Sequence, residues 1–241
     1  MKARALALGL VVAALAPGAL AQERFATAGR FAIGAERVFG YASTNTKVET
    51  EFQPGNVKYE SDKTRTQLDF LARGNVDNPF VAPRIGFDYF VIDGLSIGGA
   101  LAYYSSEHDG DETLGNNSAD IDKETDSGWA IAPRVGYCFM FNDMVGIWPR
   151  GGFTYAAGKE ETDPANPPNA PDDKLEASVL DLTLEGMLVI TPVPHAGFMV
   201  GPTLELPLSG SGETDQGNNS QDIDEIRVTT IALQAGVFAW F

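Results

Sequence analysis

Ser105-Ser106-Glu107-His108 is the stretch in which this 241-residue chain sets a hydroxyl nucleophile, a base and a carboxylate side by side. A serine attacks only when a base takes its proton and a third group orients that base, and this is an arrangement in space, not in sequence. The other histidine, His195, sits between Pro194 and Ala196 in a turn-like setting. These residues read as loop polarity, so no catalytic residue and no cofactor are expected. Metal chemistry fares similarly. Asp109, Asp111 and Asp120 suggest an acidic calcium loop, but Leu114 stands where the EF-hand turn needs glycine and Thr113 occupies its fifth position. No built metal site is expected, only weak divalent binding by the surface carboxylates Asp120, Asp122, Asp222 and Asp224. The sequon-like Asn116-Asn117-Ser118 and Asn218-Asn219-Ser220 read as chance matches.

A second chemistry-bearing set is scattered along the chain: Glu36, Arg84, Asp88, Arg134, Arg150, Asp181, Glu185 and Glu205. What unites them is phase within alternating stretches. The chain ends RVTTIALQAGVFAWF, where Ile231, Leu233, Ala235, Val237, Ala239 and Phe241 share one wholly apolar face. Similar alternation predicts eight strands, over Ala28 to Thr44, Pro79 to Val91, Leu95 to Ser106, Ser127 to Phe141, Val145 to Gly158, Glu176 to Ile190, Ala196 to Ser209 and Glu225 to Phe241. No long stripe of helical period appears, so the fold class is all-β.

The connections alternate between short and long. Those at Ile92 to Gly94, Asn142 to Met144 and Thr191 to His195 are short; the others are long and charged. Of the 33 carboxylates, 25 fall in Lys47 to Asp77, Glu107 to Asp126, Glu160 to Glu176 and Glu213 to Glu225. Charge segregated to one end predicts an antiparallel transmembrane barrel with short periplasmic turns and long acidic extracellular loops. The start of the chain agrees. Lys2 and Arg4, an apolar run from Ala5 to Ala16 and the small-x-small Ala19-Leu20-Ala21 form a signal peptide, residues 1–21, cleaved after Ala21. Residues 22–241 are then the barrel domain. Removing Lys2 and Arg4 from the 17 basic residues leaves 15 against 33 acidic, a formal charge of −18, which argues against nucleic acid as a partner. Cys138 is the lone cysteine, so no intramolecular disulfide can form.

Phase assigns the faces. Trp129, Ile131, Val135, Tyr137, Phe139 and Phe141 point to lipid, as do Ile85, Phe87, Tyr89 and Val91, with Phe31, Tyr41, Tyr103, Tyr155 and Phe241 in aromatic girdles. The scattered charged set then falls inside, three cations among five anions. An eight-stranded lumen is just wide enough for side chains to fill it, so these charges are expected to pair into a plug. Arg37 falls on the lipid phase, a misfit that either a bulge at Glu36-Arg37 or a higher position nearer the interface would remove. Pro83, Pro133, Pro149 and Pro202 interrupt strand patterns and imply local bulges.

Two repeats stand out: Ala82-Pro83-Arg84-Ile85-Gly86-Phe87 returns as Ala132-Pro133-Arg134-Val135-Gly136-Tyr137, and Gly115 to Asp122 echoes Gly217 to Asp224. With the signal peptide, the descending strands PRIGFDYFV and PRVGYCFMF and the terminal phenylalanine, the chain resembles the small eight-stranded outer-membrane β-barrels of the outer membrane protein A, outer membrane protein X and opacity-protein type. That resemblance implies an outer-membrane location among lipid and lipopolysaccharide. It also implies that Phe241 is the assembly signal read by the barrel-assembly machinery, although Ala239 stands where many relatives carry a larger residue. No peptidoglycan-tethering domain is expected after Phe241. The group spans several activities. A non-enzymatic protein with an envelope or surface-contact role is the leading expectation. A narrow or gated small-solute pore, closed by the Arg-carboxylate network, is the alternative. A lipid-modifying hydrolase and a soluble ligand-binding barrel, its faces reversed, are the remaining rivals.

Overall fold

In the computed structural model, the residues described are 24–52, 57–70, 79–108, 111–114, 117–120, 123–163, 173–216 and 219–241. The expected signal peptide lies outside them. In chain order the strands are β1 (Phe31–Phe52), β2 (Val57–Phe70), β3 (Arg84–Ile92), β4 (Leu95–His108), β5 (Asp111–Leu114), β6 (Asn117–Asp120), β7 (Lys123–Tyr137), β8 (Phe139–Met140), β9 (Val145–Asp163), β10 (Asp173–Val193), β11 (Ala196–Gln216), β12 (Asn219–Ile223) and β13 (Glu225–Trp240). Eight of them, β1, β3, β4, β7, β9, β10, β11 and β13, pair in that order and antiparallel, and β13 returns to β1 to close the ring. Closure leaves the wall no free edge up to Arg84↔Ala102; beyond it β2 takes the place of β3 beside β1, and β4 pairs with β7 alone among the described residues.

Phase and burial agree along the wall. Ile85 is 69% exposed and Tyr103 73%, whereas Arg84 is 3% exposed. Apolar residues therefore face out and charges face in, which overturns the soluble, reversed barrel. At the turn end, Asn142 Oδ1 accepts from the amides of Met144 and Val145 at 2.8 Å, a side-chain-closed turn. His195 adopts φ +65° in the turn between β10 and β11, its ring Nδ1 lies 3.0 Å from the Trp240 carbonyl, and that carbonyl's residue donates its amide to His195 O.

Two expectations need correcting. Several strands run beyond their expected ends: β9 and β10 stay paired as far as Thr162↔Asp173, and β1 and β2 form a hairpin from Phe39↔Phe70 to Phe52↔Val57 across part of the expected first loop. Opposite charges on these ribbons hold each other, as in Lys47–Asp62 at 3.5 Å and Lys174–Glu161 at 3.0 Å. In addition, β3 begins at Arg84 rather than Pro79, because Phe80, Val81 and Ala82 turn into the barrel and are buried there.

The prolines also behave differently from expectation. The β7–β9 register keeps step from Ile131↔Tyr155 to Arg134↔Gly152 across Pro133, and β10–β11 keeps step from Glu185↔Thr203 to Leu188↔Val200 across Pro202. Pro149 pairs in register with Gly186, and Pro83 lies just before β3. A missing donor removes one rung without adding a residue, so no bulge follows. The real irregularity on β11 falls at Pro207, opposite Asp181.

The Gly115 and Gly217 echoes do share a local form. In each, the Asn-Ser-x-Asp portion is the return strand of a hairpin, with Leu114↔Asn117 in one and Gln216↔Asn219 in the other.

Candidate functional site

The lumen is built in three layers. At the turn end, Phe25 enters from the N-terminal segment and packs its ring 4.8 to 5.5 Å from Phe90, Trp148, Phe238 and Trp240. Met187, Val189, Met199 and Cys138 complete this apolar stopper. The segment is tied down by Gly94 N to Ala26 O at 2.8 Å and by Gly29 N to Phe90 O at 2.8 Å, with Gly29 at φ +84°.

Above it lies a buried ionic layer. All eight charged residues expected in the lumen are there: Glu36, Arg84, Asp88, Arg134, Arg150, Asp181, Glu185 and Glu205 are each at most 8% exposed. Arg134 grips Glu36 in a two-bond fork, Nη1 to Oε2 and Nη2 to Oε1, both 2.7 Å, and also reaches Asp88 Oδ2 at 2.5 Å. Arg150 bridges Glu36 at 2.8 Å and Glu185 at 2.8 Å, and its guanidinium carbon stands 4.9 Å over the Trp148 ring, joining this layer to the stopper.

A ninth member is Arg37. Between Ala35↔Val237 and Phe39↔Ala235, β1 carries two more residues than β13, and Arg37 takes φ +57°. That bulge turns its side chain from the lipid phase into the lumen, where it is 3% exposed and reaches Glu205 at 2.8 Å and Glu185 at 3.3 Å. The signal was the misfit itself, a cation on an otherwise apolar face.

The two repeated arginines differ in use. Arg134 is gripped at the centre. Arg84 sits at the upper edge, 4.0 Å from Glu205, and donates to Thr154 Oγ1 and to the Pro79 carbonyl at 3.3 Å each. The glycine two residues after each arginine makes room: a Cβ on Gly86 would lie 2.5 Å from Glu36 Oε1, and one on Gly136 would lie 2.8 Å from Arg150 Cγ.

Four arginines meet five carboxylates. The fifth, Asp181, is fully buried, and neither of its oxygens has a hydrogen-bond partner among the described residues.

The third layer is a cup open at the loop end. Its floor is Phe80, whose carbonyl accepts from Arg37, and its walls include Ala156, Ala177, Val179, Ile226 and Val228. The volume is about 460 Å³. No sequence pattern located the Pro79 to Ala82 floor, because an isolated apolar triplet after a loop reads as a strand start.

The Ser105 to His108 stretch is not drawn together. Ser105 and Ser106 fall on opposite faces of β4, Ser106 donates to Asp126 Oδ2 at 3.3 Å, and Glu107 pairs with Lys123 at 2.8 Å. His108 pairs in register with Glu124. Asp109 and Asp122 lie outside the described residues, and Asp111 and Asp120 are backbone register partners in the β5–β6 hairpin. A different acidic group does assemble: the carboxylates of Glu124, Asp126 and Glu160 lie within 4.8 Å of one another at the cup's mouth. Burial first, then Asp126 and Glu124, pushes the Glu160 carboxyl above its ordinary range.

No family model and no curated protein matches the chain. Solved structures do. The outer membrane protein AlkL, determined in lipid bilayers, is 10% identical over 94% of this chain and 97% of that one, at TM-score 0.51. Ail, the attachment invasion locus protein of Yersinia pestis, solved with the heparin analogue sucrose octasulfate, is 15% identical over 88% and 99%, at TM-score 0.41. The outer membrane protease OmpT of Escherichia coli is 10% identical over 91% and 98%, at TM-score 0.46. At such identities the likeness is one of fold.

Proposed function

We propose that this chain, an eight-stranded outer-membrane β-barrel, is a non-conducting and non-enzymatic protein that works at its extracellular end, in envelope or surface contact. The observation that carries this reading is the lumen. A closed ionic layer of nine side chains rests on an aromatic stopper, and Phe80 covers it from above. A water-filled path would have to part charges that hold one another in a low-dielectric interior. On this reading the lipid-facing belt meets the bilayer, and the acidic ribbons meet lipopolysaccharide and external partners. Ca²⁺ or Mg²⁺ would bridge surface carboxylates such as Asp222 and Asp224 to phosphate groups. Phe241 would serve the barrel-assembly machinery.

Planar bilayers test the lumen. Wild-type protein is expected to be silent, while Arg84→Ala with Arg134→Ala, which strips two cations from the ionic layer, is expected to conduct. Steady conductance by the wild type would favour the narrow pore instead. Lipid A from overproducing cells should be unmodified; a changed lipid A would return the hydrolase class. Contact is tested on cells displaying the barrel: neutralising Glu213, Asp215, Asp222 and Asp224 should weaken Mg²⁺-dependent association with lipopolysaccharide vesicles.

A further inference from the structure

Apart from its Phe80 floor, the cup has no part in sealing the lumen, and its chemistry is distinct. A space of about 460 Å³ lies within the usual range for small-molecule sites. Its lower part is walled by Ala156, Ala177, Val179, Ile226 and Val228 above Phe80. Lys63, Arg65, Lys159, Asp126 and Glu160 also line the cup. Water held against the lower wall finds few hydrogen-bond partners, so replacing it by an apolar body is favourable. The floor does not yield a counter-charge: the Phe80 carbonyl is engaged by Arg37, and the layer beneath carries one more carboxylate than arginines. An anionic head seated on the floor would face the carboxylate excess of the layer beneath.

We infer that the cup is a binding site for a small uncharged apolar molecule of aromatic or short aliphatic type, taken from the extracellular side and held above the Phe80 floor. The alternating small and branched side chains set the width. Ala156 and Ala177 leave the space, and Val179, Ile226 and Val228 shape it. The mixed charges at the mouth suit a neutral polar group at the ligand's outer end. The site binds without passing its ligand onward, because the ionic layer and the stopper lie below. This goes beyond the contact reading, with which it shares only the closed floor.

The test is methyl NMR on the full chain in phosphatidylcholine nanodiscs, titrated with 1-naphthol as the uncharged probe and 1-naphthalenesulfonate as the anion. Saturable shifts are expected at Val179, Ile226 and Val228 methyls with 1-naphthol and not with the sulfonate, and Ala156→Leu should weaken binding about tenfold. Shifts that never saturate, or that appear equally on lipid-facing Ile85 and Leu184, would mean partition into lipid and overturn the site. Equal binding of the sulfonate would overturn its preference for uncharged ligands. If Ala156→Leu fails to give a folded, heat-modifiable band, Ala177→Val makes the same comparison with less added bulk. Wild-type conductance would sink the closed-lumen reading while leaving the methyl shifts to be judged separately.

Discussion

Arg134 and Glu36, 98 residues apart in sequence, meet in a planar fork of two 2.7 Å hydrogen bonds at the centre of the barrel. The fork ties β7 to β1 across the lumen, between strands that are not neighbours in the wall. Its partners are buried, so the contribution of each charge depends on the other being present.

Removing Arg134 alone should therefore be costly. Arg134→Ala leaves Glu36 and Asp88 with reduced pairing, and a loss of about 3–5 kcal/mol is expected for breaking such a buried pair. Pairing it with Glu36→Gln should recover part of that loss, since the stranded charge is gone. Urea unfolding in liposomes measures both, and a double variant no better than the single would show that Glu36 is not what Arg134 chiefly neutralises.

Asp181 should behave in the opposite way. It is buried without a hydrogen-bond partner among the described residues, so no bond is lost on substitution. Asp181→Leu is expected to be neutral or to stabilise by roughly 1–3 kcal/mol, the usual cost of an unsatisfied buried group. A loss of similar size in the same unfolding assay would reveal a partner for Asp181.

Glu160 provides a pH test outside the membrane-spanning part, five residues beyond Tyr155 toward the extracellular end. Its carboxyl sits above the usual range because of burial and the neighbouring Asp126 and Glu124. An acid raised on folding binds its proton more tightly in the folded state, so stability falls as pH rises from the unfolded carboxylate value through the folded one. Amide exchange in the β7–β9 ribbon at Thr125 to Ser127 should speed up across that window after correction for intrinsic rates. Glu160→Gln should flatten the response. A wild-type ribbon whose protection grows with pH there would contradict the sign.

Phe241 closes the ring with two backbone bonds, Phe31 N to Phe241 O at 3.0 Å and Phe241 N to Phe31 O at 2.9 Å. Deleting it should remove this last rung and, on the proposed assembly role, deplete the heat-modifiable band from the outer-membrane fraction. Phe241→Ala keeps the rung and isolates the side chain. If both variants reach the membrane at wild-type levels, Phe241 is not the assembly signal.

Strand alternation was legible in the sequence because it is a local property: successive Cβ atoms point to opposite faces, so composition at every second residue already separates Ile85 and Phe87 from Arg84, Gly86 and Asp88. The same phase put Glu36, Arg84, Asp88, Arg134, Arg150, Asp181, Glu185 and Glu205 on one side of their strands, and turn chemistry at Asp93-Gly94 and Asn142 marked the short end. Three-dimensional closure decided the rest. Arg37 turns inward because β1 must accommodate two residues more than β13, a mismatch that exists only once the strands are paired. The floor at Phe80 exists because β2 occupies the place beside β1 above Phe39, which leaves the chain before Arg84 to enter the lumen and be caught by Arg37 and Arg84. Which carboxylate each arginine holds, and why Asp181 holds none among the described residues, likewise follows from distances across the lumen. Period and charge act between near neighbours in the chain, whereas register, bulges and cross-lumen pairing depend on which distant strands close the ring.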